Sequence, residues 1–483
     1  MIIVSVIKRG LDKYNGLPVA LKATFWFTIC NFIQRGMSLI TTPIFTRLMS
    51  TEEYGIFSTY TAWENVLFMI ISLSLYKSTM NLYVKYDDYK YVLSSICGIE
   101  ILLTGTGLVM GILFRKPIAV LLKIPMSLVC CLFVNFISQA AYQTWAIYKR
   151  YIYEYKMLIV TTLIMSIGSS FVSIAVVLLT NATAFSRAIS ICVVSVFVAI
   201  SIYISVFKSN RVFYDKRIWM FAIGFCVPLL PHFLSEFVLQ SSDKLMINYM
   251  CSASDVAIYS VAYSVGSIIN LFGNSVSATF SPYLYQKMYA KEYDKLSIRA
   301  NQVLLFIGVV MLGIMLFSRE IVMLFGGNKY IDSSYVIIPI CLGVFFNYLF
   351  SFFGQIQQYF ERKTAIVIPS IFCAILNICL NYIFIGMYGY RAASYTTFVC
   401  YFLFCIINYY LYRKVCREEI NGNHVYDSKR IALICLIVVL GGCLISILNC
   451  KPHIKYTVLL LLSTLLLYKR NALIKCLGKI YKG

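Results

Sequence analysis

Long apolar stretches alternate with short polar ones along almost the whole chain. Fourteen of them are predicted as membrane helices, because a helix needs roughly 20 residues to cross a hydrocarbon core of about 30 Å. The predicted spans are 21–45, 56–76, 91–114, 117–148, 157–179, 186–207, 218–250, 256–285, 302–326, 335–358, 364–386, 390–412, 430–449 and 454–468. The connections are all short, which leaves no room for a catalytic domain outside the membrane. The pattern predicts an all-α integral membrane protein.

Three segments of this pattern are less regular. The fourth predicted span contains Pro125, so it can also form two helices. The last span, 454–468, is short for a crossing. Residues 1–20 combine basic and apolar positions and are predicted to lie on the membrane surface as an amphipathic segment.

Composition and charge agree with a membrane protein. Hydrophobic residues make up 60% of the 483 positions and charged residues only 13%, against about 25% charged in soluble domains. The net charge of +22 would suggest nucleic acid binding in a soluble protein. Here about 30 of the 42 Lys and Arg fall in the termini and in every second connection, all on one side of an even number of spans. By the positive-inside rule we expect both termini in the cytoplasm, and no nucleic acid partner.

Sequence signatures of catalysis are missing. The chain has no GxxxxGK[ST] phosphate loop, no HExxH and no GxSxG. Its 17 cysteines lie mostly within apolar stretches, at spacings that match neither a zinc site nor a disulfide framework. We expect a protein that is not an enzyme, with no catalytic residues, cofactor or metal.

A weak internal repeat divides the spans into two sets. YGIFSTYTA at 54–62 aligns with VAIYSVAYS at 256–264, and each stretch opens the second helix of a six-helix set. Because six is even, the two sets share one orientation, as in transporters with parallel repeats. The predicted units are an N-lobe at 21–207, a C-lobe at 218–412, two helices within 430–468 and a basic cytoplasmic tail at 469–483.

The first span carries a polar face. Asn31, Arg35 and Ser38 are spaced i, i+4 and i+7, which places them on one side of the helix. A charge at mid-membrane costs about 2.5–3.5 kcal/mol and usually faces a bundle interior or a watery cavity. We therefore predict that Arg35 faces a central cavity. The alternative is that its long side chain reaches the membrane surface.

The seventh span carries ionisable groups on a comparable face. His232, Glu236 and Asp243 are spaced i, i+4 and i+11, and Lys244 follows Asp243. Asp243 and Lys244 can line the cavity or form an interfacial pair near the helix end. Glu64 also lies at membrane depth, so Glu64, Glu236 and Asp243 are candidates for ion coupling.

Two further features of the spans bear on transport. Pro228 and Pro231 each remove a backbone hydrogen bond from the seventh span. Because interrupted helices in transporters mark places where two states differ, we predict a hinge there. In the eleventh span Asn377 and Asn381 lie one turn apart. Such amides either line a cavity or hold helices together.

Three stretches resemble a known family. FTRLMSTEEYGIFSTY (45–60), SSDKLMINYMCSASDVAIYSVAY (241–263) and IVMLFGGNKYIDSS (321–334) occur in the order found in Wzx-type polysaccharide and O-antigen repeat-unit flippases. These belong to the MATE-like MOP superfamily (multidrug, oligosaccharidyl-lipid and polysaccharide transporters). The resemblance covers about residues 20–412. One stretch departs from it, because SLSLYKST at 72–79 stands where glycines are common in the family.

The resemblance implies two six-helix lobes around a cavity that opens to either side in turn. It implies transfer of a polyprenyl (undecaprenyl) pyrophosphate-linked oligosaccharide to the outer leaflet of the bacterial inner membrane, for O-antigen, capsule or exopolysaccharide synthesis. Arg35 matches a first-helix arginine of these flippases, and a guanidinium can hold a pyrophosphate through two hydrogen bonds. With it we group Asn31, Ser38 and Lys244 as cavity residues. The expected partners are the lipid-linked oligosaccharide, membrane lipids, a glycan polymerase and chain-length machinery, around a monomeric protein.

Other functions stay open at this point. A MATE-type drug exporter driven by H+ or Na+ would need a carboxylate in the first lobe, where the first span has an arginine instead. A membrane glycan polymerase would need a large outer loop, and a lipid scramblase has no distinguishing sequence. The driving force is ion exchange or the membrane potential, worth about 2.3 kcal/mol per charge per 100 mV. The sequence does not indicate which sugar repeat is carried.

Overall fold

The computed structural model describes residues 18–362, 364–422, 424–449, 451 and 453–457, and within these ranges it is helical and free of β-strands. The helices are α1 Val19–Leu48, α2 Thr51–Ile71, α3 Thr79–Lys85, α4 Tyr89–Leu113, α5 Arg115–Leu122, α6 Met126–Tyr151, α7 Tyr155–Leu163, α8 Ser169–Leu179, α9 Ala184–Ser209, α10 Lys216–Cys226, α11 Leu230–Met250, α12 Ala253–Tyr289, α13 Tyr293–Leu316, α14 Ser318–Phe325, α15 Ser333–Tyr359, α16 Thr364–Tyr388, α17 Arg391–Glu419 and α18 Ser428–Asn449. The predicted all-α class is confirmed.

Ten helical spans in the described ranges are long and apolar enough to cross a membrane, or eleven if α2 and the bent segment after it count as one. α1 and α12 are 30 and 37 residues long but more polar. The first thirteen predicted spans all fall on helices. Of the fourteenth, only residues 454–457 lie in the described part, so the total of fourteen stays a prediction.

Several predicted spans are divided in the structure, among them the fifth, in which a π-helical turn, Ile164–Gly168, stands between α7 and α8. The fourth separates into α5 and α6, because Lys123 adopts a left-handed φ of 50° and Pro125 precedes α6. The ninth, predicted at 302–326, instead runs from Tyr293 to Leu316, and α14 follows as a separate helix. Apolar length alone does not reveal a bend between two consecutive apolar helices.

The predicted repeat appears as the same local structure at two turns. Ser50 Oγ accepts a hydrogen bond from the Glu53 backbone N–H at 3.2 Å at the start of α2. Ser252 Oγ accepts one from the Asp255 backbone N–H at 3.1 Å at the start of α12. A serine cap with an acidic residue three positions later satisfies free N–H groups and suits the helix dipole.

The two halves of the chain meet at one end of the helix bundle. We call this the gate end and define it by the turns 49–50, 251–252 and 326–332. There α2 packs against α11 and α12, and one apolar cluster contains buried residues from both halves. The opposite end, called the basic end, holds the connections 86–88 and 210–215.

The seventh predicted span is interrupted at its prolines. A 3-10 turn, Val227–Leu229, contains Pro228, and Pro231 is the second residue of α11. α10 belongs to an apolar cluster of the first half, whereas α11 packs on α16. Asp215 caps α10, and its pKa lies below the ordinary value because the Tyr91 hydroxyl donates to it at 2.6 Å. The break thus separates a helix that packs within the first half from one that packs on α16 of the second half and also on α2.

A strained bend follows α2. The chain turns by 58° between α2 and the segment Leu75–Lys85. Leu73 and Ser74 there have φ values of 50° and 52°, in the left-handed region. This conformation costs a non-glycine residue about 1–2 kcal/mol. The stretch 72–79 lacks the glycines that are common in the family at this place. The structure shows the consequence: two positions that glycine would occupy without strain carry a leucine and a serine.

We predict that Ser74→Gly stabilises the protein by about 0.5–1 kcal/mol, since glycine relieves the left-handed strain. Ser74 Oγ is buried without a partner in the described structure, so its removal costs no hydrogen bond. Ser78→Gly is the contrasting variant, because Ser78 has an ordinary φ of −76° and its Oγ donates to the Leu75 carbonyl oxygen at 2.7 Å; it should lower stability by about 1–2.5 kcal/mol, from the flexibility of glycine and the lost hydrogen bond together. Thermal unfolding in detergent measures both, and a loss of stability in Ser74→Gly would disprove the strain.

Candidate functional site

The turn between α1 and α2 binds the second half of the chain. Thr46 Oγ1 donates to the Phe325 carbonyl oxygen at 2.5 Å, and Arg47 Nη2 donates to the Leu324 carbonyl oxygen at 3.1 Å. Both acceptors stand at the C-terminal end of α14, where helix carbonyls lack intrahelical partners. Lys455 Nζ donates to both carboxylate oxygens of Glu320 on α14 at 2.9 Å each. The turn therefore docks on a helix that is itself anchored.

The contact between α2 and α12 is too close for a side chain at Gly55. A Cβ at this position would lie 1.7 Å from the Ala253 carbonyl oxygen. Beside it, Thr51 Oγ1 and Ser254 Oγ are 3.4 Å apart, and the Tyr54 and Tyr330 rings meet edge to face at 6.1 Å. These contacts close the gate end in this conformation.

Arg187 supports the same turn from within the first half. Its guanidinium carbon lies 3.7 Å from the Phe45 ring centre and 3.9 Å from the Phe57 ring centre. Nε and Nη1 are buried without a hydrogen-bond partner among the described residues. A desolvated cation–π contact contributes about 2 kcal/mol, so Arg187 holds the two ends of the turn together. The sequence signal for it is slight, a single arginine in an apolar stretch.

The predicted cavity residues of the first span are only partly described. The backbone of α1 passes through Asn31 and Arg35, but their side chains lie outside the described part of the structure. Ser38 is exposed, and its carbonyl oxygen accepts a hydrogen bond from Thr42 Oγ1 at 2.7 Å. The predicted role of Arg35 stays a prediction.

Glu64 belongs to a polar group inside the first half. Asn135 Nδ2 on α6 donates to Glu64 Oε1, and Ser195 Oγ on α9 donates to Asn135 Oδ1 at 2.6 Å. No ion pair of Glu64 occurs in the described ranges. The sequence did not single out Asn135 or Ser195, which are isolated polar residues in apolar stretches.

Asp243 is the centre of a buried network in the second half. It is 1% exposed and accepts hydrogen bonds from the Tyr259 hydroxyl, from Thr397 Oγ1 at 2.8 Å and from Asn381 Nδ2 at 2.7 Å. Asn377 Nδ2 in turn donates to Thr397 Oγ1 at 3.2 Å. The network joins α11, α12, α16 and α17, and it brings Asp243 together with both asparagines of the predicted amide face.

The donors around Asp243 are all neutral. No basic residue of the described chain lies within ion-pair distance of its carboxylate; the ammonium of the neighbouring Lys244 is beyond that distance, 5.1 Å from the Tyr263 ring centre. A buried carboxylate without a cation costs several kcal/mol, so a proton or a small cation suits this position. The described residues contain no cluster of three His, Cys, Asp or Glu side chains that could hold a metal ion.

Lys244 and Glu236 face the space beside this network. Lys244 is half-buried, with Nζ 5.1 Å from the Tyr263 ring centre. The Glu236 side chain is 57% exposed and lies 3.8 Å from His232 Nε2. From the first half, Lys77 Nζ reaches to 3.2 Å above the Phe233 ring. Lys77 directly follows the second predicted span, and its position in the sequence does not indicate a contact with α11.

A polar cavity of about 260 Å3 lies next to Asp243, between α11, α12, α15 and α17. Tyr259 and Thr397, which donate to Asp243, form part of its wall. A smaller cavity shares Gln240 with it and leads to His232 and Glu236. The buried carboxylate and the exposed one thus lie beside two neighbouring cavities of the second half that share lining residues.

The fold and the polar interior define a transporter of the membrane, and comparisons with known proteins identify its class. The sequence model of the polysaccharide biosynthesis protein family matches residues 20–288, more than half of the chain, and that of the MatE family matches residues 228–383. The chain belongs to the polysaccharide biosynthesis protein family. It is a multi-pass membrane protein of the MOP superfamily, and the resemblance seen in its three sequence stretches is confirmed.

Individual relatives agree with this assignment. A probable low-salt glycan biosynthesis flippase, Agl15 of Haloferax volcanii, is 25% identical over 159 residues, which span 32% of this chain and 34% of that protein. The lipid II flippase MurJ in an inward closed conformation has a TM-score of 0.59 at 15% identity, covering 89% of this chain and 99% of MurJ. An inward-facing multidrug MATE transporter has a TM-score of 0.55 at 13% identity, covering 82% and 96%. At these identities the two structures show the fold alone, and all three relatives are transporters rather than enzymes.

We predict that Gly55→Ala forces the gate end open. Overpacking costs about 1–3 kcal/mol, so the closed population should fall about tenfold or more. The measurement is the rate of disulfide formation between Thr51→Cys and Ser254→Cys. Gly36→Ala is the control, because a Cβ there would meet nothing within 4 Å. Equal rates of disulfide formation in the parent protein, in Gly55→Ala and in Gly36→Ala would contradict the close contact at Gly55.

Proposed function

We propose that this protein flips a polyprenyl-pyrophosphate-linked oligosaccharide across the membrane, from the side of the basic end to the side of the gate end. The closed gate end is the observation that carries the proposal, because a flippase must shut one side while its interior faces the other. The basic end is then cytoplasmic, and the glycan is delivered to the outer leaflet of the bacterial inner membrane for surface polysaccharide synthesis. A glycan polymerase and chain-length machinery act on the delivered units, and the protein works as a monomer.

The halves act as the N-lobe and C-lobe of this cycle. Separation at the gate end breaks the bonds of Thr46 and Arg47 to α14 and parts Gly55 from Ala253. The break at Pro228 and Pro231 serves as the hinge, since α10 packs on the N-lobe and α11 on the C-lobe. Rotation about this turn lets the lobes change their angle while α10 keeps its packing in the N-lobe and α11 keeps its packing on α16; the contact of α11 with α2 is the one that breaks.

Arg35 is assigned to the pyrophosphate. It precedes Thr46 by eleven positions of α1, or about 16 Å along the helix at 1.5 Å per residue. That distance places it well inside the membrane, where an arginine needs an anion or water. Asn31 and Ser38 share its helical face, and Lys244, which has no ion pair in the described ranges, supplies a second cation from the C-lobe.

Asp243 is assigned to ion coupling in preference to Glu64 and Glu236. It is buried and has three neutral donors, and it forms no ion pair with any basic residue that the structure describes, so it gains most from binding H+ or Na+. Its donors come from α12, α16 and α17, so filling the site draws these helices together. Glu236 is exposed, and Glu64 accepts from one side chain of the described ranges, that of Asn135.

A drug exporter is the second candidate. The match to the MatE family over residues 228–383 and the buried Asp243 favour it. The flippase proposal has the wider support, because the polysaccharide biosynthesis match covers more of the chain and one relative is a probable glycan flippase. Deletion of the gene separates the two. Sensitivity to cationic dyes with normal surface glycan would indicate an exporter.

We predict that cells lacking the gene accumulate lipid-linked repeat units on the cytoplasmic face and lose surface polymer. Arg35→Ala should restore about 1–10% of delivery, since a hydrogen bond to a charged group is worth about 1.5–3 kcal/mol, and Arg35→Lys should restore more. Arg299→Ala is the control, because Arg299 is exposed near the basic end. Leaflet-specific analysis of extracted lipid-linked glycan is the readout. Full delivery by Arg35→Ala would refute the assignment of Arg35.

We predict that Asp243→Asn uncouples transport from an ion gradient. In proteoliposomes, an imposed H+ or Na+ gradient should accelerate flipping by the parent protein. The Asp243→Asn variant should transport at the same rate with a gradient as without one. The control is Asp255→Asn, which alters a helix cap at the gate end and should keep the acceleration by the gradient. If the Asp243→Asn variant is still accelerated by the gradient, and Glu64→Gln or Glu236→Gln is not, then Glu64 or Glu236 is the coupling site instead.

A further inference from the structure

The cavity beside Asp243 is lined by several polar side chains, which is unusual for the interior of a membrane protein. Three carboxamides, Gln240, Asn270 and Asn347, line it from α11, α12 and α15. None of the three forms a hydrogen bond with any residue that the structure describes. Asn270 and Asn347 are half-buried and Gln240 is exposed, but all three line a cavity between helices of the bundle, where a polar group without a partner is unfavourable. Three carboxamides turned into one cavity therefore indicate that something else occupies their donors and acceptors.

Aromatic rings form the rest of the polar wall. Tyr259, Tyr263 and Tyr401 line the cavity. The hydroxyls of Tyr259 and Tyr401 are used, in bonds to Asp243 and to the Leu239 carbonyl oxygen. The Tyr263 hydroxyl has no partner in the described ranges. Flat ring faces next to free amides suit a ligand with both an apolar C–H face and several hydroxyl groups.

We propose that this cavity is a subsite for one neutral sugar unit of the cargo. A sugar hydroxyl is both donor and acceptor, and a carboxamide offers both groups as well. The volume of about 260 Å3 is slightly below the range of about 300–1,000 Å3 usual for small-molecule sites. It therefore admits a single pyranose rather than an oligosaccharide. The proposal rests on the proposed function and specifies its substrate.

The surrounding charges select the class of sugar and its position. Asp243 stands behind Tyr259 and Thr397, Glu236 lies at the end of the adjoining cavity, and no cation lines the wall. A uronic acid would bring its own carboxylate into this acidic surrounding without a partner. Lys244 Nζ lies 5.1 Å from the Tyr263 ring centre. A pyrophosphate bound by Lys244 would place the sugar that is bonded to it in contact with the cavity wall. The subsite would therefore recognise the sugar unit next to the pyrophosphate.

The test uses simple glycosides as probes on the full-length protein in nanodiscs. Saturation-transfer NMR is measured with the methyl glycosides of glucose, galactose, N-acetylglucosamine and glucuronic acid. We expect at least one neutral probe to bind and the glucuronide to fail. Asn270→Leu and Asn347→Leu should each weaken binding about tenfold, the equivalent of one hydrogen bond. Tyr263→Phe keeps the ring and removes one hydroxyl, so it remains informative if the leucine variants fail to fold. Asn301→Leu, at a 9% exposed amide of α13 outside the cavity, should change nothing.

Three results would overturn the subsite: no neutral probe binds, binding is the same in Asn270→Leu, Asn347→Leu and Tyr263→Phe as in the parent, or the glucuronide binds best. The gene deletion is analysed in parallel to separate this proposal from the function. Accumulated lipid-linked glycan without glycoside binding refutes the subsite and keeps the flippase. Glycoside binding that depends on Asn270 and Asn347, without such accumulation, supports a sugar site and refutes the flippase.

Discussion

The arrangement of this protein depends on a backbone contact between its halves. Because Gly55 has no Cβ, α2 approaches the Ala253 carbonyl, and Thr46 and Arg47 then reach the carbonyls at the end of α14. These acceptors are left free by a helix end, so water can replace the bonds when the gate end opens to solvent. The contact is therefore stable in the closed conformation, and it can break reversibly when water enters the gate end. Arg187, between Phe45 and Phe57, keeps the turn in the shape that this contact requires.

The polar groups inside the second half fall into two kinds. Around Asp243 the donors and acceptors are matched across four helices, which fixes the packing of α11 against α16 and α17. In the adjoining cavity the carboxamides have no hydrogen-bond partner among the described residues, and Lys244, which forms no ion pair with any of them, lies beside the Tyr263 ring. Matched groups in an apolar environment hold structure, whereas unmatched ones are maintained at a cost that a ligand can offset. This difference is the basis of the two proposed roles: the network around Asp243 binds an ion, and the cavity beside it binds the cargo.

Much of the fold could be predicted because a membrane allows few alternatives to helices. The apolar pattern predicted where the helices of the described part lie, whereas the serine caps in front of the aligned stretches were found only in the structure. The bend at Leu73 and Ser74 was also not predicted, because tertiary contacts impose a left-handed φ on residues that do not favour it. Asp243 and the asparagines of α16 were each recognised on their own helices, but periodicity within a helix does not reveal which helices meet. Arg187 was missed for the same reason, since only Phe45 and Phe57, more than 120 residues away, distinguish it from a packing residue.

The most direct measurement is the distance between the halves at both ends during transport. Spin labels at the exposed positions Glu52 and Lys329 span the gate end, and labels at Asp87 and Lys291 span the basic end. With lipid-linked oligosaccharide in nanodiscs, the gate-end distance should gain a longer population while the basic-end distance gains a shorter one. A gate-end distance that stays short in every condition, in protein that still flips the glycan, would contradict the account.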